Sequence, residues 1–260
     1  LGVMVEDKVE MSAITYSTAI SACAKCGEWE KAIRLLRVMG QQKVEMDIIT
    51  YSTAIIACAK GGEWEKALGL LGVMIEDEVE ISTITYNAAI SACEKCRQWE
   101  HALGLLARMD VRGIVPDAIS YSAAISACRN SQQWEQALAV MGEMRRRGLQ
   151  LDVVAYNAAI SACDKGFQWR RALQFFTEML AGRMDPNLVT CNALLSACER
   201  AQEWEAALWI LAEMRTRGPE PDVVTFSAAI SACAMRWQRV FQLLEEMREW
   251  AVEADLVVRS

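Results

Sequence analysis

Two short stretches of the chain hold residue types that could do chemistry. Residues 23–26 read CAKC and residues 93–96 read CEKC, and C-x-x-C is the spacing used by zinc sites and by redox dithiols. A zinc site needs four converging ligands, whereas Cys23 with Cys26 and Cys93 with Cys96 form two separate pairs, and His101 is the only histidine. Beyond these cysteines the inventory is thin. No Gly-rich phosphate loop, Ser/His/Asp set or distinct carboxylate pair occurs, so neither catalysis nor a cofactor or metal is expected within this chain. What the cysteines do depends on the elements that carry them.

Those elements repeat with a period of 35 residues. Aromatic residues fall at Tyr16, Tyr51, Tyr86, Tyr121, Tyr156 and Phe226, with Cys191 in the slot between the last two. Cysteines follow at Cys23, Cys58, Cys93, Cys128, Cys163, Cys198 and Cys233, and tryptophans at Trp29, Trp64, Trp99, Trp134, Trp169 and Trp204. Methionines close the units at Met39, Met74, Met109, Met144, Met179 and Met214. In the last unit Trp237 and Met247 arrive two residues early, which marks a degenerate repeat.

Within a unit, Tyr86, Ala89, Ile90 and Cys93 keep i, i+3, i+4, i+7 spacing, the stripe of an amphipathic helix. After a short turn, Trp99, Ala102, Leu105, Leu106 and Met109 give a second stripe, which Gly113 and Pro116 end. Each unit is therefore a helix hairpin that must stack on its neighbours to bury its stripes. The predicted fold is all-α: a right-handed α-solenoid superhelix of stacked helix-turn-helix hairpins forming one array over residues 1–260. Complete repeats are expected at 13–47, 48–82, 83–117, 118–152, 153–187 and 188–222. Residues 1–12 resemble 71–82 and read as the end of a truncated repeat, and 223–260 as a degenerate C-terminal one. The tryptophan, methionine and main cysteine ladders then become core positions. Cys26 and Cys96 fill a turn slot held elsewhere by Gly61, Ser131, Gly166 and Ala201, so a small residue in a tight turn replaces the metal or redox reading.

Composition sets the outer bounds. Hydrophobic residues at 53% and charged residues at 23% support a folded core, and no run of about 18 apolar residues is available to span a bilayer. The net charge of −7 argues against a broad basic face for duplex DNA, because such binding rests on phosphate neutralisation. Ten cysteines in a chain of this length point to a reducing compartment. The sequence opens with Leu1 inside a repeat, so it is expected to be part of a longer array.

The segment DVVAYNAAISACDKGFQWRRALQFFTEMLAGRMDPN at 152–187 and its cognates, such as DAISYSAAISACRNSQQWEQALAVMGEMRRRGLQLD at 117–152, resemble the pentatricopeptide repeat family. The tetratricopeptide signature W-x-x-L-G-x-x-Y is absent from the first helix. The resemblance covers nearly the whole chain and is closest to the pure 35-residue class. It implies binding of single-stranded RNA at one base per repeat, each base read by two side chains: the residue after the tyrosine and the last residue of the unit. Carried over, the pairs are Ser17 with Asp47, Ser52 with Ser82, Asn87 with Asp117, Ser122 with Asp152, Asn157 with Asn187, and Asn192 with Asp222. The residues that wedge the bases would be Ile14, Ile49, Ile84, Ile119, Val154, Val189 and Val224. The family's pattern implies the word 5′-G-?-U-G-C/U-U-3′, with no base assigned to Ser52 and Ser82.

Two readings of these residues stand side by side. Ser, Asn and Asp at helix starts commonly cap the helix, yet here the slots vary among the three while core positions barely change, as reading residues on a constant scaffold would. Likewise Lys25, Lys60, Lys95, Lys165 and Arg200 occupy one equivalent position, with Asn130 as the exception. In the family that position contacts the RNA phosphate, whereas a helix-end cation also complements the macrodipole. The resemblance further implies a role in organellar RNA processing, stabilisation or translation, in a mitochondrion or chloroplast. Partners would be single-stranded RNA and other RNA-processing proteins, with no membrane. The alternative is a protein-binding helical-repeat scaffold, which the acidic charge favours.

Overall fold

The computed structural model describes residues 12–249. Among them the chain forms fourteen helices and no strand: α1 (Ala13–Cys26), α2 (Trp29–Gln41), α3 (Ile48–Gly61), α4 (Trp64–Glu76), α5 (Thr83–Lys95), α6 (Trp99–Val111), α7 (Ala118–Asn130), α8 (Trp134–Arg146), α9 (Val153–Lys165), α10 (Trp169–Ala181), α11 (Leu188–Ala201), α12 (Trp204–Arg217), α13 (Val223–Ala232) and α14 (Trp237–Glu249). The truncated repeat expected at the N-terminus lies, up to residue 11, outside the described residues. The chain divides into two compact units, one ending at Ala127 and the other beginning at Cys128, with the boundary inside α7.

Local chemistry sets where each helix starts and stops. Six of the seven odd-numbered helices open on a side-chain cap, and only α5, behind Ser82, lacks one. The Asp47 Oδ1 accepts the Thr50 N–H at 2.8 Å, Asp152 accepts from Ala155 N–H at 2.7 Å, Asn187 from Thr190 N–H at 3.0 Å and Asp222 from Thr225 N–H at 2.8 Å. Such caps satisfy amide donors that the first turn leaves orphaned. The turn inside each of the first six hairpins carries one residue in the left-handed region, at Gly27, Gly62, Arg97, Gln132, Phe167 and Gln202, again 35 apart. Only the first two are glycine, so the other four hold a conformation that costs an L-residue about 1–2 kcal/mol.

Packing then builds two layers in each unit. Odd-numbered helices pack along one another, α1 on α3 and α3 on α5 in the first unit, α9 on α11 and α11 on α13 in the second. Even-numbered helices pack on the odd helices of their own and the following hairpin, as α4 does on α3 and α5. Alanine permits the close approach of the odd layer: in α5, Ala88, Ala89 and Ala92 are buried beside Tyr86, Ile90 and Cys93. The methionine ladder is core throughout, as expected, and so is the cysteine ladder from Cys58 to Cys233. Cys23, on the first described helix, is only partly buried.

The tryptophans depart from the expected core role. Trp29, Trp64, Trp99, Trp134, Trp169 and Trp204 are half-buried, and Trp237 is 67% exposed. Each opens an even helix, and Trp29, Trp64, Trp134 and Trp204 meet residues of the following hairpin. A Cβ built on Gly61 would sit 2.2 Å from Trp29 Cδ1, and one on Gly166 would sit 2.3 Å from Trp134 Cγ. The indole rings also meet a cation: Lys66 Nζ lies 3.6 Å from the Trp29 ring centroid and the Arg171 guanidinium 5.6 Å from that of Trp134. His101 fills the same place against Trp64, ring centroids 4.6 Å apart. Tryptophan is therefore an inter-repeat clasp, worth more than its buried area through cation–π attraction, and His101 is a structural partner.

Candidate nucleic-acid interface

The two C-x-x-C pairs hold no metal-binding geometry. Among the described residues no group of three or more His, Cys, Asp or Glu side chains could hold a metal ion, and the cysteines are free thiols. Burial pushes the Cys93 thiol up to about 12, which removes the thiolate that ligation or exchange requires. Cys96 ends α5, and its thiol donates to the Gly62 carbonyl of the preceding hairpin at 3.0 Å. The turn slot thus needs a small side chain, and this one also ties two hairpins.

The odd helices carry a different and regular surface. Their second residue is aliphatic and exposed in every case: Ile14 77%, Ile49 62%, Ile84 66%, Ile119 65%, Val154 55%, Val189 57% and Val224 59%. Single exposed aliphatics are unremarkable, but the same position seven times marks a face. The reader slot lies three residues on, in the next place on that face. The cation lies eight residues beyond the reader, about 12 Å along the axis, and Lys25, Lys60, Lys95, Lys165 and Arg200 are all exposed. In α5 the face therefore runs Ile84, Asn87, Lys95.

The reader pairs are brought together to different degrees. Asn87 Nδ2 donates to both Asp117 carboxylate oxygens at 3.1 and 3.3 Å, and Asn192 Nδ2 donates to Asp222 Oδ1 at 3.4 Å. Ser52 and Ser82 each meet the Thr85 hydroxyl, at 2.8 and 3.3 Å. Asn157 and Asn187 share the hydroxyl of Thr190, which donates toward the Asn157 Oδ1 and lies 2.9 Å from the Asn187 Oδ1. Ser17 instead donates to its own helix, to the Ile14 carbonyl at 3.0 Å. Ser122 and Asp152 belong to the two different units.

The partner residues are caps as well as neighbours of the reader slot, so capping is part of their role. Burial pushes the Asp117 carboxyl up, but the Ser120 N–H and the Asn87 amide outweigh it and hold the group below its ordinary value. At Asp222 burial is likewise outweighed, by the Thr225 hydroxyl and N–H and the Asn192 amide. Both carboxylates are charged acceptors at neutral pH. Cations differ between the units: Lys25, Lys60 and Lys95 form no ion pair among the described residues. Arg200 Nε and Lys165 Nζ instead lie 3.7 and 3.8 Å from the oxygens of the buried Asp164.

Comparison with family models matches the PPR repeat family over residues 11–60, 81–130 and 186–235, the pentatricopeptide repeat domain over 139–199, and the PPR repeat over 49–79 and 119–149. The chain belongs to the pentatricopeptide repeat family. No curated protein matches it. Among solved structures it is similar to the pentatricopeptide repeat protein PPR10 from maize, at 18% identity and a TM-score of 0.65 over 99% of this chain and 42% of that one. The same maize protein in complex with an 18-nt psaJ RNA element matches with a TM-score of 0.57. So does the PPR domain of Arabidopsis thaliana protein-only RNase P 1 in complex with tRNA, at 16% identity over 76% of this chain and 94% of that domain. The likeness shows the helical-hairpin solenoid fold. The chain spans less than half the length of the maize pentatricopeptide repeat protein.

One set of site residues escaped the sequence reading. The residue before the aromatic slot, which Cys191 fills in one repeat, is Thr50, Thr85, Ser120, Thr190 and Thr225 in five pentatricopeptide repeats, each almost wholly buried against a reader or its partner. A hydroxyl ladder at that register is visible in the sequence, with Ala155 as the break. Its meaning was hidden because the bonds that matter join residues 33 apart.

Proposed function

We propose that the chain binds single-stranded RNA sequence-selectively, one base per repeat, with the base edge at the reader pair and its faces against the exposed aliphatic residue. The observation that carries this reading is the Asn87 amide held against the Asp117 carboxylate, three residues from an exposed Ile84 and eight from a free Lys95. That face offers apolar contact, directional hydrogen bonding and phosphate neutralisation within one nucleotide's reach, the combination single-strand recognition uses. The similar structures that contain an RNA element or a tRNA support it.

The chemistry of each pair supports a base. At Asn87–Asp117 the amide's second N–H and the outer carboxylate oxygen offer one donor beside one acceptor, which suits the uracil carbonyl and its ring N3–H. At Asn157–Asn187 the carboxylate is replaced by a second amide, so two donors face outward and suit the adjacent N3 and O2 acceptors of cytosine. Uracil presents N3–H there and leaves a donor facing a donor, a costly mismatch. The protein would sequester or position an RNA segment in organellar RNA processing, stabilisation or translation.

Fluorescence polarisation with 5′-GAUGCU-3′, a scrambled word and the DNA equivalent tests this. Tighter binding of the first is expected, and Asn187→Asp should move the fifth-base preference from C to U by about tenfold, or roughly 1.4 kcal/mol. Equal binding of ordered and scrambled words overturns the sequence-selective reading. No RNA binding at all favours the protein-binding scaffold, which the net charge of −7 suits.

A further inference from the structure

Where two reader side chains meet, a third group from the next repeat lies between them. Ser120 Oγ donates to Asn87 Oδ1 and lies 2.9 Å from Asp117 Oδ1. Thr225 Oγ1 lies 2.7 Å from Asn192 Oδ1 and 2.7 Å from Asp222 Oδ1. Thr190 Oγ1 donates toward Asn157 Oδ1. These three hydroxyls are 0% exposed, so water does not substitute for them.

A capping box explains part of this: Thr190 and Thr225 return a bond to the backbone of the residue that caps their helix. Capping does not require the hydroxyl to reach across the stack to an asparagine of the preceding repeat. That reach has a chemical consequence. An asparagine amide has an acceptor end and a donor end of nearly the same shape, and which end faces the base decides what it selects. A hydroxyl has a single proton. At the third repeat Asp117 Oδ1 already accepts the Ser120 N–H at 2.8 Å and the Asn87 amide, which leaves the Ser120 proton for the asparagine oxygen. Carboxylate on one side and hydroxyl on the other then fix Asn87 with oxygen inward and N–H outward. At the fifth repeat no carboxylate is present, and Thr190 alone imposes that orientation on Asn157.

We infer that the hydroxyl residue preceding the aromatic slot, Ser120, Thr190 and Thr225, is a specificity-determining positioning residue for the repeat before it, setting the reader amide to present a donor to the base. The inference rests on the RNA-reading proposal and deepens it. Without the hydroxyl the amide turns over freely and presents oxygen as readily as N–H, so the repeat keeps its place in the stack but loses discrimination. The effect is graded. It is largest where the hydroxyl acts alone, at Thr190, and smaller at Ser120, where Asp117 still holds the amide.

The test is competition binding with RNAs varied one base at a time, using Thr190→Ala, Thr190→Ser and Ser120→Ala. Alanine already occupies the equivalent position at Ala155, which is itself buried in a helix, so the scaffold accepts it. Thr190→Ala is expected to reduce the preference at the fifth base roughly tenfold, the scale of one oriented hydrogen bond, with the other positions unchanged. Thr190→Ser should restore the preference, and Ser120→Ala should reduce the third-base preference by a smaller factor. A capping role alone would lower the melting temperature and leave the base ratios intact. If the parent discriminates at the fifth base and Thr190→Ala retains that ratio, the inference is overturned and the RNA reading stands. If the parent discriminates at neither the third nor the fifth base, both are overturned.

Discussion

Asp117 and Asp222 each serve a helix start and hold a reader amide with one carboxylate, and Asp47 caps α3. At Asp47 the Thr50 hydroxyl and N–H lower the carboxyl below its ordinary value despite some burial, and Asp117 and Asp222 are lowered on balance as well. A depressed folded pKa stabilises the protein above the unfolded value near 3.8 and loses that contribution as pH falls through the folded value. Thermal melts should therefore be insensitive to these groups from neutral pH to about pH 4 and drop below it. The triple variant Asp47→Asn, Asp117→Asn, Asp222→Asn, whose amides still accept the capping bonds, should show a flatter acid limb; an unchanged limb would remove these carboxylates from the account. At this scale the sequence was legible where a residue type carries its own meaning, as with the aspartate caps. It was illegible where meaning lies in a partner, as with Ser120, whose bond to Asn87 crosses from one repeat to the next.

Helix pairs were legible because the 35-residue period repeats the helix-start residues and the apolar stripes, whereas the left-handed residue of the hairpin turn, glycine only at Gly27 and Gly62, carries no repeating signal. Tryptophan was the misreading. A ladder of large apolar rings suggests a core, but Trp29 is a bracket between hairpins, set against both Gly61 and Lys66 of the following one. The turn slot that includes Cys26 and Cys96 is small for the same reason. Gly61→Ala should force the Trp29 ring aside and lower stability by about 1–3 kcal/mol, the range for overpacking a filled site, as measured by urea unfolding. Alanine at Gly69, where an added Cβ meets nothing within 4 Å, is the control expected to show no loss. Equal behaviour of the two would mean that the clasp yields at no cost.

Across the molecule a net charge of −7 coexists with cations at one equivalent position in five of the seven odd helices, so attraction for a polyanion depends on which of them are free. Each phosphate contact contributes about 0.7 to the salt slope of single-strand binding. Lys95→Gln should lower the slope by about that amount. Asp164→Asn, which releases Lys165 and Arg200, should raise both slope and affinity; titrations at several salt concentrations read both, and an unaltered slope in each variant would place these cations outside the contact. The same cross-repeat wiring bears on how such arrays are recombined. Folding is punctuated at residue 117, but the set of side chains around Asn87 closes only at Ser120. A cassette cut at the fold boundary would carry a reader away from the hydroxyl that orients it and place it beside whatever its new neighbour supplies. Exchange junctions set after position 120 and its equivalents should transmit a base preference intact, so the unit of inheritance for recognition is offset by three residues from the unit of structure.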